Sequence, residues 1–344
     1  MSASTAPTAT APDPNSLLMQ LATGYMPAAC LYEAARLEIA DALDDSSKPV
    51  ADLARAAGIN EDALYRLLRA LGGVGIFAEP APRTFANTPA SHLLRKGNPQ
   101  SIRPMILWIA NPFHLRVFAE MGHSVKTGGT ALYKHSGLEA FDYFHQDEEM
   151  GQVFNAAMTN LSSMFLPTVL EAYDFSGLGT LTDVGGGHGY FLSAILQKTP
   201  GLRGVVFDLP HVANGARTMI AAAGVGNRCE IQTGSFFEAV PASDSYVLKS
   251  IIHDWDDERA IAILRNCAKG LRAPGGKVLL VELLVSAGNS ADMAKWIDLE
   301  MLAMAGGRER TEAEFAALFA AAGLRLSRVV HTQCPYNVIE AVQA

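Results

Sequence analysis

Asp183-Val184-Gly185-Gly186-Gly187-His188-Gly189 decides the fold. It completes a run of β-formers, Thr180–Val184, and precedes a helical pattern, Tyr190–Lys198. Glycines at alternate positions let the backbone turn sharply at the C-terminal edge of a strand. They also let a ligand approach the main chain closely. A dinucleotide fingerprint reads G-x-G-x-x-G. Here the spacing is G-x-G-x-G, preceded by an acid, and position 190 is Tyr. A glycine-rich turn with no ligand has the same pattern, so the loop alone leaves both readings open. Asp208 adds a second feature in register, because it ends the next β run. An acid there can hydrogen-bond both ribose hydroxyls of a bound nucleoside.

Outward from the loop, short β runs at 180–184, 204–208, 229–232, 246–249 and 277–284 alternate with helical patterns at 190–198, 212–223 and 258–271. Such alternation predicts a mostly parallel, doubly wound sheet. Two more β runs, 324–331 and 336–342, follow a helix at 312–322, and Pro335 between them marks a closing antiparallel hairpin. Residues 104–173 form a helical zone rich in Phe, Met and His. Upstream, Val50–Ala57 stops at Gly58, and Asn60 caps a second helix over 61–71. Extended segments at 75–79 and 83–87 flank a turn holding Pro80 and Pro82. Helix, turn, helix and hairpin together predict a winged helix. The segment 17–43 reads as a helix apolar on more than one face, which suits burial against a second subunit. The expected organisation is a loose tail at 1–15, a winged-helix domain at 16–103, a helical linker region at 104–173 and a Rossmann-like α/β domain at 174–344.

Composition bounds the function. The chain has 344 residues, a net charge of −8 and 49% hydrophobic residues, too apolar for disorder. The net acidity argues against general affinity for nucleic acid or anionic membrane. No apolar run reaches the roughly 18 residues of a membrane helix. No secretory signal is evident, and Cys30, Cys229, Cys267 and Cys334 form no C-x-x-C pair, so a cytoplasmic location is expected.

His253, in Lys249-Ser-Ile-Ile-His253-Asp254-Trp255, follows the fourth β run, at the edge where open α/β sheets bind ligands. A base there, with an ordinary pKa of about 6.5, suits proton abstraction near neutrality. A satisfied structural histidine is the competing reading. Taken together, the ordered segments Phe154–Met158, Asp183–Gly189, Phe207-Asp208-Leu209-Pro210, His253-Asp254-Trp255 and Gly306-Gly307-Arg308-Glu309-Arg310-Thr311 resemble one family over nearly the whole chain. It is the S-adenosylmethionine (SAM)-dependent small-molecule O-methyltransferase family, which includes plant caffeate and flavonoid enzymes and bacterial antibiotic-tailoring enzymes.

The resemblance implies a class I methyltransferase domain with a seven-stranded sheet. It also implies a homodimer through the winged-helix domain, SAM as donor and S-adenosylhomocysteine (SAH) as product. His253 then matches the general base, Glu309 the acid that orients it and Glu282 a second acid beside the site. Asp183, Gly185, Gly187, Asp208, Leu209, Gly234, Ser235, Phe236, Lys249, Ser162 and Trp255 match the cofactor site. Within that set Gly185 and Gly187 surround the methionine portion, Asp208 holds the ribose and Ser162 lies near the carboxylate. Phe236 and Trp255 wall the adenine. Phe154, Met158, Met301, Met304 and Asp254 match the acceptor pocket, with Trp108 and Asn111 as looser members. One departure is Ser235, where the family usually carries an Asp that accepts a hydrogen bond from the adenine. The implied acceptor is a phenolic or polyketide-like aromatic of bacterial secondary metabolism.

Other readings compete. The same scaffold serves N- and C-methylation and non-methylating tailoring steps, although His253 and Glu309 favour O-methylation. A winged helix can regulate transcription, and residues 48–103 carry eight basic against four acidic groups. The recognition helix, however, would begin Glu61-Asp62, which repels phosphate. A metal at His253, Asp254, Asp256 and Asp257 is outweighed by a helix-capping role for Asp256, Asp257 and Glu258, so none is expected. His188 is expected to be exposed and incidental.

Overall fold

The computed structural model describes residues 13–272 and 275–344. Residues 1–12 of the expected tail lie outside the described residues; Asp13 already caps a helix, accepting a hydrogen bond from Ser16 N–H. The chain divides into one compact unit ending at Arg116 and another spanning Val117–Ala344.

In the first unit, the single helix expected over 17–43 is three: α1 (Pro14–Ala22), α2 (Tyr25–Arg36) and α3 (Ile39–Leu43). Pro27 explains the first break, because a proline without N–H is tolerated in the first turn of a new helix but not inside a longer one. Glu38, in a left-handed conformation, makes the second. The two-residue β1 (Lys48–Pro49), too short to show periodicity, leads into α4 (Val50–Ala57) and α5 (Glu61–Gly73). Asn60 caps α5 by accepting from Ala63 N–H at 2.9 Å. β2 (Phe77–Ala81) and β3 (Thr84–Asn87) complete a three-stranded antiparallel sheet in the order β1-β3-β2. Pro80 lies within β2 rather than in the turn, at a register irregularity between Ala78 and Ala81 that tolerates its missing N–H. α6 (Pro89–His92), α7 (Arg103–Ile109) and α8 (Pro112–Ala119) follow. Leu43, Leu68, Leu71, Phe77 and Phe85 form the core of this unit.

The second unit opens with α9 (Met121–Thr127), α10 (Ala131–Ser136), α11 (Ala140–Gln146) and the long α12 (Glu148–Ala172). Its sheet is built from β4 (Thr180–Val184), β5 (Arg203–Asp208), β6 (Cys229–Thr233), β7 (Ser245–Lys249), β8 (Lys277–Leu283), β9 (Leu324–Val330) and β10 (Tyr336–Gln343). The helices between them are α13 (Tyr190–Lys198), α14 (Pro210–Ala222), α15 (Asp257–Gly270), α16 (Met293–Met304) and α17 (Glu312–Ala321).

Strand order is β6-β5-β4-β7-β8-β10-β9. The first five strands pair in parallel, and β10 runs antiparallel to both β8 and β9. Parallel strands covered on both faces read as continuous apolar runs, and β8 (Val278, Leu279, Leu280, Val281) does so. One core, including Leu181, Ile195, Val206 and Val281, packs with α12 and α13; the other, including Leu248, Leu264, Leu280 and Phe319, packs with α15 and α17. The sheet reverses direction of growth between β4 and β7, which opens a crevice at their C-terminal ends. The glycine loop follows β4, Asp208 ends β5, and the His253 segment follows β7.

Candidate active site

The glycine loop is cut to shape by backbone geometry. Gly185, Gly187 and Gly189 all have positive φ, between 57° and 74°. A Cβ on Gly185 would stand 2.5 Å from Ile251 Cδ1, so a side chain there would fill the crevice floor. The loop is tied to β5: Gly185 N–H donates to Phe207 O at 2.8 Å, and Gly187 N–H to Asp208 Oδ2 at 2.8 Å. Asp208 Oδ1 accepts from Leu209 N–H at 2.7 Å, so both carboxylate oxygens are oriented by peptide donors. His188 is half-buried and faces Gly215 of α14, where a Cβ would meet its ring at 2.5 Å; it is not exposed. Asp183 is buried with Oδ2 unpartnered, and burial pushes its carboxyl up to about 7 against the pull of Lys249.

His253 sits on a 3₁₀ turn, Ile252–Asp254, between β7 and α15. Its Nδ1 is 2.6 Å from Glu309 Oε1 and 3.9 Å from Glu282 Oε2, while Asp254 Oδ1 is 3.5 Å from Nε2. Both Glu282 and Glu309 are buried, and among the described residues each leaves Oε2 without a hydrogen-bond partner. Glu282 Oε1 accepts from Ile251 and Ile252 N–H at 3.0 and 2.9 Å, fastening the turn to β8. Burial alone would favour neutral imidazole, and it is the largest single influence on His253. The carboxylates of Asp254, Glu282 and Glu309 together outweigh it and push the imidazole up to about 10. Burial raises Glu282 to about 7 and Asp254 to about 6. Burial also lowers Lys249, whose ammonium lies 5.7 Å from the Tyr336 ring centre.

His253, Glu282 and Glu309 each offer one ligand atom within 4.8 Å of the others, a set that could hold a metal ion and that sequence reasoning did not consider. Of the acids considered instead, Asp256 caps α15 by accepting from Arg259 N–H at 2.8 Å, and Asp257 pairs with Arg310 at 2.9 Å.

An aromatic row borders this centre. Trp255 stacks with Phe141 at 5.8 Å and meets Phe236 and Phe237 edge-on at 6.0 and 4.8 Å. Phe141 touches Phe154 at 6.5 Å, and Phe154 stacks with Phe144 at 4.6 Å. The row brings Phe154, expected in the acceptor pocket, into line with Trp255 and Phe236, expected around adenine. Phe141 and Phe144 were missed, although their i, i+3 spacing on α11 was available as a signal. Met158 and Ser162 lie one turn apart on α12, with Ser162 Oγ donating to Met158 O at 2.8 Å. Ser162, Lys249 and Tyr336 line one small crevice. Met301 and Met304 are on α16, and Gly234 and Ser235 follow β6. Trp108 and Asn111 belong to the first unit. There Asn111 caps α8 by accepting from Phe113 N–H at 2.9 Å, and Trp108 meets His114 edge-on at 4.9 Å.

The sequence and the fold match known proteins. Residues 118–325 match the O-methyltransferase domain, and residues 19–97 match the O-methyltransferase dimerisation domain. The chain belongs to the O-methyltransferase family. A phenazine O-methyltransferase of Lysobacter antibioticus is 43% identical over 328 residues, covering 95% of this chain and 96% of the relative. An 8-amino-8-demethylriboflavin N,N-dimethyltransferase of Streptomyces davaonensis is 33% identical, covering 90% of both. The crystal structure of an O-methyltransferase from neocarzinostatin biosynthesis, holding SAH and 1,4-dihydroxy-2-naphthoic acid, has a TM-score of 0.81. It is 32% identical, covering 95% of this chain and 98% of that one.

The protein is thus a SAM-dependent O-methyltransferase, and SAH is its product. The residues present fit that cofactor. The loop offers open space beside Gly187, Asp208 presents an oriented carboxylate, and the indole Nε1 of Trp255 is buried without a partner. No helix among the described residues is long and apolar enough to cross a membrane.

Proposed function

We propose that this enzyme methylates a hydroxyl of a flat, fused-ring aromatic such as a phenazine, naphthoate or related polyketide, with His253 as general base. The observation that carries this reading is the buried 2.6 Å contact between His253 Nδ1 and Glu309, beside the glycine loop. Substrates named for the relatives, and the aromatic row ending at Phe154, support the substrate class.

SAM supplies a methyl group on a sulfonium that leaves as a neutral thioether, so no acid is needed for its departure. The protein's tasks are alignment and removal of one proton. Alignment can contribute up to about 7–11 kcal/mol in well-oriented cases, and a positioned base about 10²–10⁴-fold. Glu309 accepts the Nδ1 hydrogen, which leaves Nε2 as the atom that takes the acceptor's proton. The imidazolium so formed is stabilised by Glu309, Glu282 and Asp254, the groups that raise His253 to about 10. A phenol also titrates near about 10, so proton transfer between the two is close to isoenergetic. In this reading Glu282 secures the turn, and Gly185, Gly187, Asp208, Lys249 and Ser162 hold the donor. Asp254, Met158, Met301 and Met304 shape the acceptor side. The dimerisation domain supports a homodimer formed through the N-terminal unit.

The test is His253→Ala, assayed with labelled SAM and a panel of phenols, hydroxyphenazines and hydroxynaphthoates read by mass spectrometry. Methyl transfer is expected to fall by more than about 100-fold with SAM affinity unchanged in calorimetry. Turnover close to the parent enzyme would refute the base assignment. Products carrying methyl on nitrogen, as the riboflavin-directed relative's name implies for that enzyme, would move the acceptor class.

A further inference from the structure

Arg310 is the largest side chain that is fully buried, at 1% exposure, and its five N–H groups are all engaged. Nη1 donates to Ile252 O at 3.1 Å and to Arg308 O at 3.3 Å. Nη2 donates to Trp255 O at 2.8 Å and to Asp257 Oδ1 at 2.9 Å, and Nε donates to the same Asp257 oxygen at 3.0 Å. Ile252 and Trp255 are the residues immediately outside His253-Asp254. One planar cation therefore grips the carbonyl on each side of the histidine.

The anchor is itself held. Val285 N–H donates to Arg310 O at 3.1 Å, and Arg310 forms a parallel bridge with Leu284 just beyond β8. Arg308 N–H donates to His253 O at 2.8 Å, and Gly307 lies flat against the same turn. A buried guanidinium needs hydrogen bonds on all its donors to offset desolvation, and here two of its four acceptors are the backbone carbonyls that flank His253-Asp254. A structural ion pair alone would not need this, since Asp257 has a side chain 58% exposed to water.

We infer that Arg310 is a positioning residue for the methyl transfer, holding the His253 turn so that Nδ1 stays against Glu309 and Nε2 stays aimed at the acceptor. This rests on the reading of His253 as base. Lysine cannot replace it fully, because an ammonium has three donors around one point and cannot bridge three carbonyls and a carboxylate.

The experiment compares Arg310→Lys and Arg310→Met with the parent enzyme. It measures kcat at saturating SAM and acceptor, SAH affinity by calorimetry, and titration of the His253 ring by NMR on ¹⁵N-histidine-labelled protein. The expected order of kcat is parent, then Lys, then Met, with Arg310→Lys about 10–100-fold down, as for a sub-ångström misplacement. SAH affinity should stay within about threefold. In Arg310→Lys, which keeps the charge, the ring titration should move downward, because the contact with Glu309 loosens. Parent-like kcat and an unmoved titration in Arg310→Lys would overturn the inference. If Arg310→Met does not fold, Arg310→Lys alone decides. The NMR readout does not depend on the chemistry. A shifted titration in Arg310→Lys beside a fully active His253→Ala would sink the base assignment and, with it, the role of Arg310 in methyl transfer, leaving only a structural hold on the turn.

Discussion

Gly307→Ala puts the reasoning about the histidine turn to its hardest test. A Cβ built on Gly307 falls 2.0 Å from His253 O, 2.3 Å from Asp254 C and 2.6 Å from Trp255 N. All three neighbours are main chain, so no side chain can swing aside. Tolerable contact with the nearest atom requires the two segments to part by at least about 1 Å, and a misplacement of that size costs on the order of 10²-fold in rate. In free energy that is about 2.7 kcal/mol of transition-state stabilisation. The same strain should lower stability by about 1–3 kcal/mol, the usual range for forcing extra volume into a packed site. In a protein of this size that is a fall of a few degrees in melting temperature.

Trp255 shares the strained turn, but the glycine loop, Asp208 and Lys249 belong to other elements, so most of the donor binding should survive. The expected result is kcat reduced about 100-fold, SAH affinity within about threefold and a cooperative thermal transition. A Gly307→Ala enzyme with kcat within about threefold of the parent would show that the Gly306–Thr311 segment does not hold the histidine, and the Arg310 argument would fall with it.

Other outcomes follow from the charges and from the departure at Ser235. In the enzyme without donor, NMR should show the His253 ring titrating well above pH 8, since three carboxylates raise it to about 10. Glu309→Gln should bring that titration down, because one of the groups favouring the imidazolium is gone; a ring titrating near 6.5 in the parent would sink the electrostatic account. Among the described residues, Ser235 Oγ accepts only from Phe237 N–H, at 3.3 Å in its own loop. Ser235→Asp should tighten SAM binding about fivefold, the step from a neutral to a charge-assisted hydrogen bond, and unchanged or weaker affinity in calorimetry would rule the idea out.

The sheet was legible because its signals are local and repeated. Thr180–Val184 carries β-branched residues, Gly185 to Gly189 punctuates it, and the same strand-loop-helix grammar recurs along the chain. Segments 204–208 and 229–232 differ from the observed β5 and β6 by one residue at one end. The histidine and its partner acid were legible only through the order of motifs, since Glu309 is 56 residues from His253 and no periodicity links them. Arg310 was not legible at all. It reads as one arginine among charged neighbours in Arg308-Glu309-Arg310, and nothing in the letters says that the second is buried while the first is exposed. Gly307 was hidden for a related reason: its φ is ordinary, and its necessity comes from a backbone that approaches through space. The break of 17–43 into three helices was signalled by Pro27, but apolar spacing on several faces masked it.

The acids around His253 impose a condition on the whole catalytic cycle. In the proposed base role, the upward shift from these carboxylates means that the resting centre favours imidazolium, the form a base must leave. Binding a neutral phenol there and aligning it for attack on the methyl group therefore requires one proton to leave the site. The acid that faces Nε2, the atom that must give up the proton, is Asp254, whose Oδ1 stands 3.5 Å away and whose carboxyl burial raises to about 6. The donor contributes a positive charge of its own, and a cation entering beside an imidazolium favours loss of that proton by simple repulsion. If His253 is the base, as proposed, the carboxylate-rich site is no handicap, because Asp254, Glu282 and Glu309 stabilise the imidazolium formed when the acceptor gives up its proton.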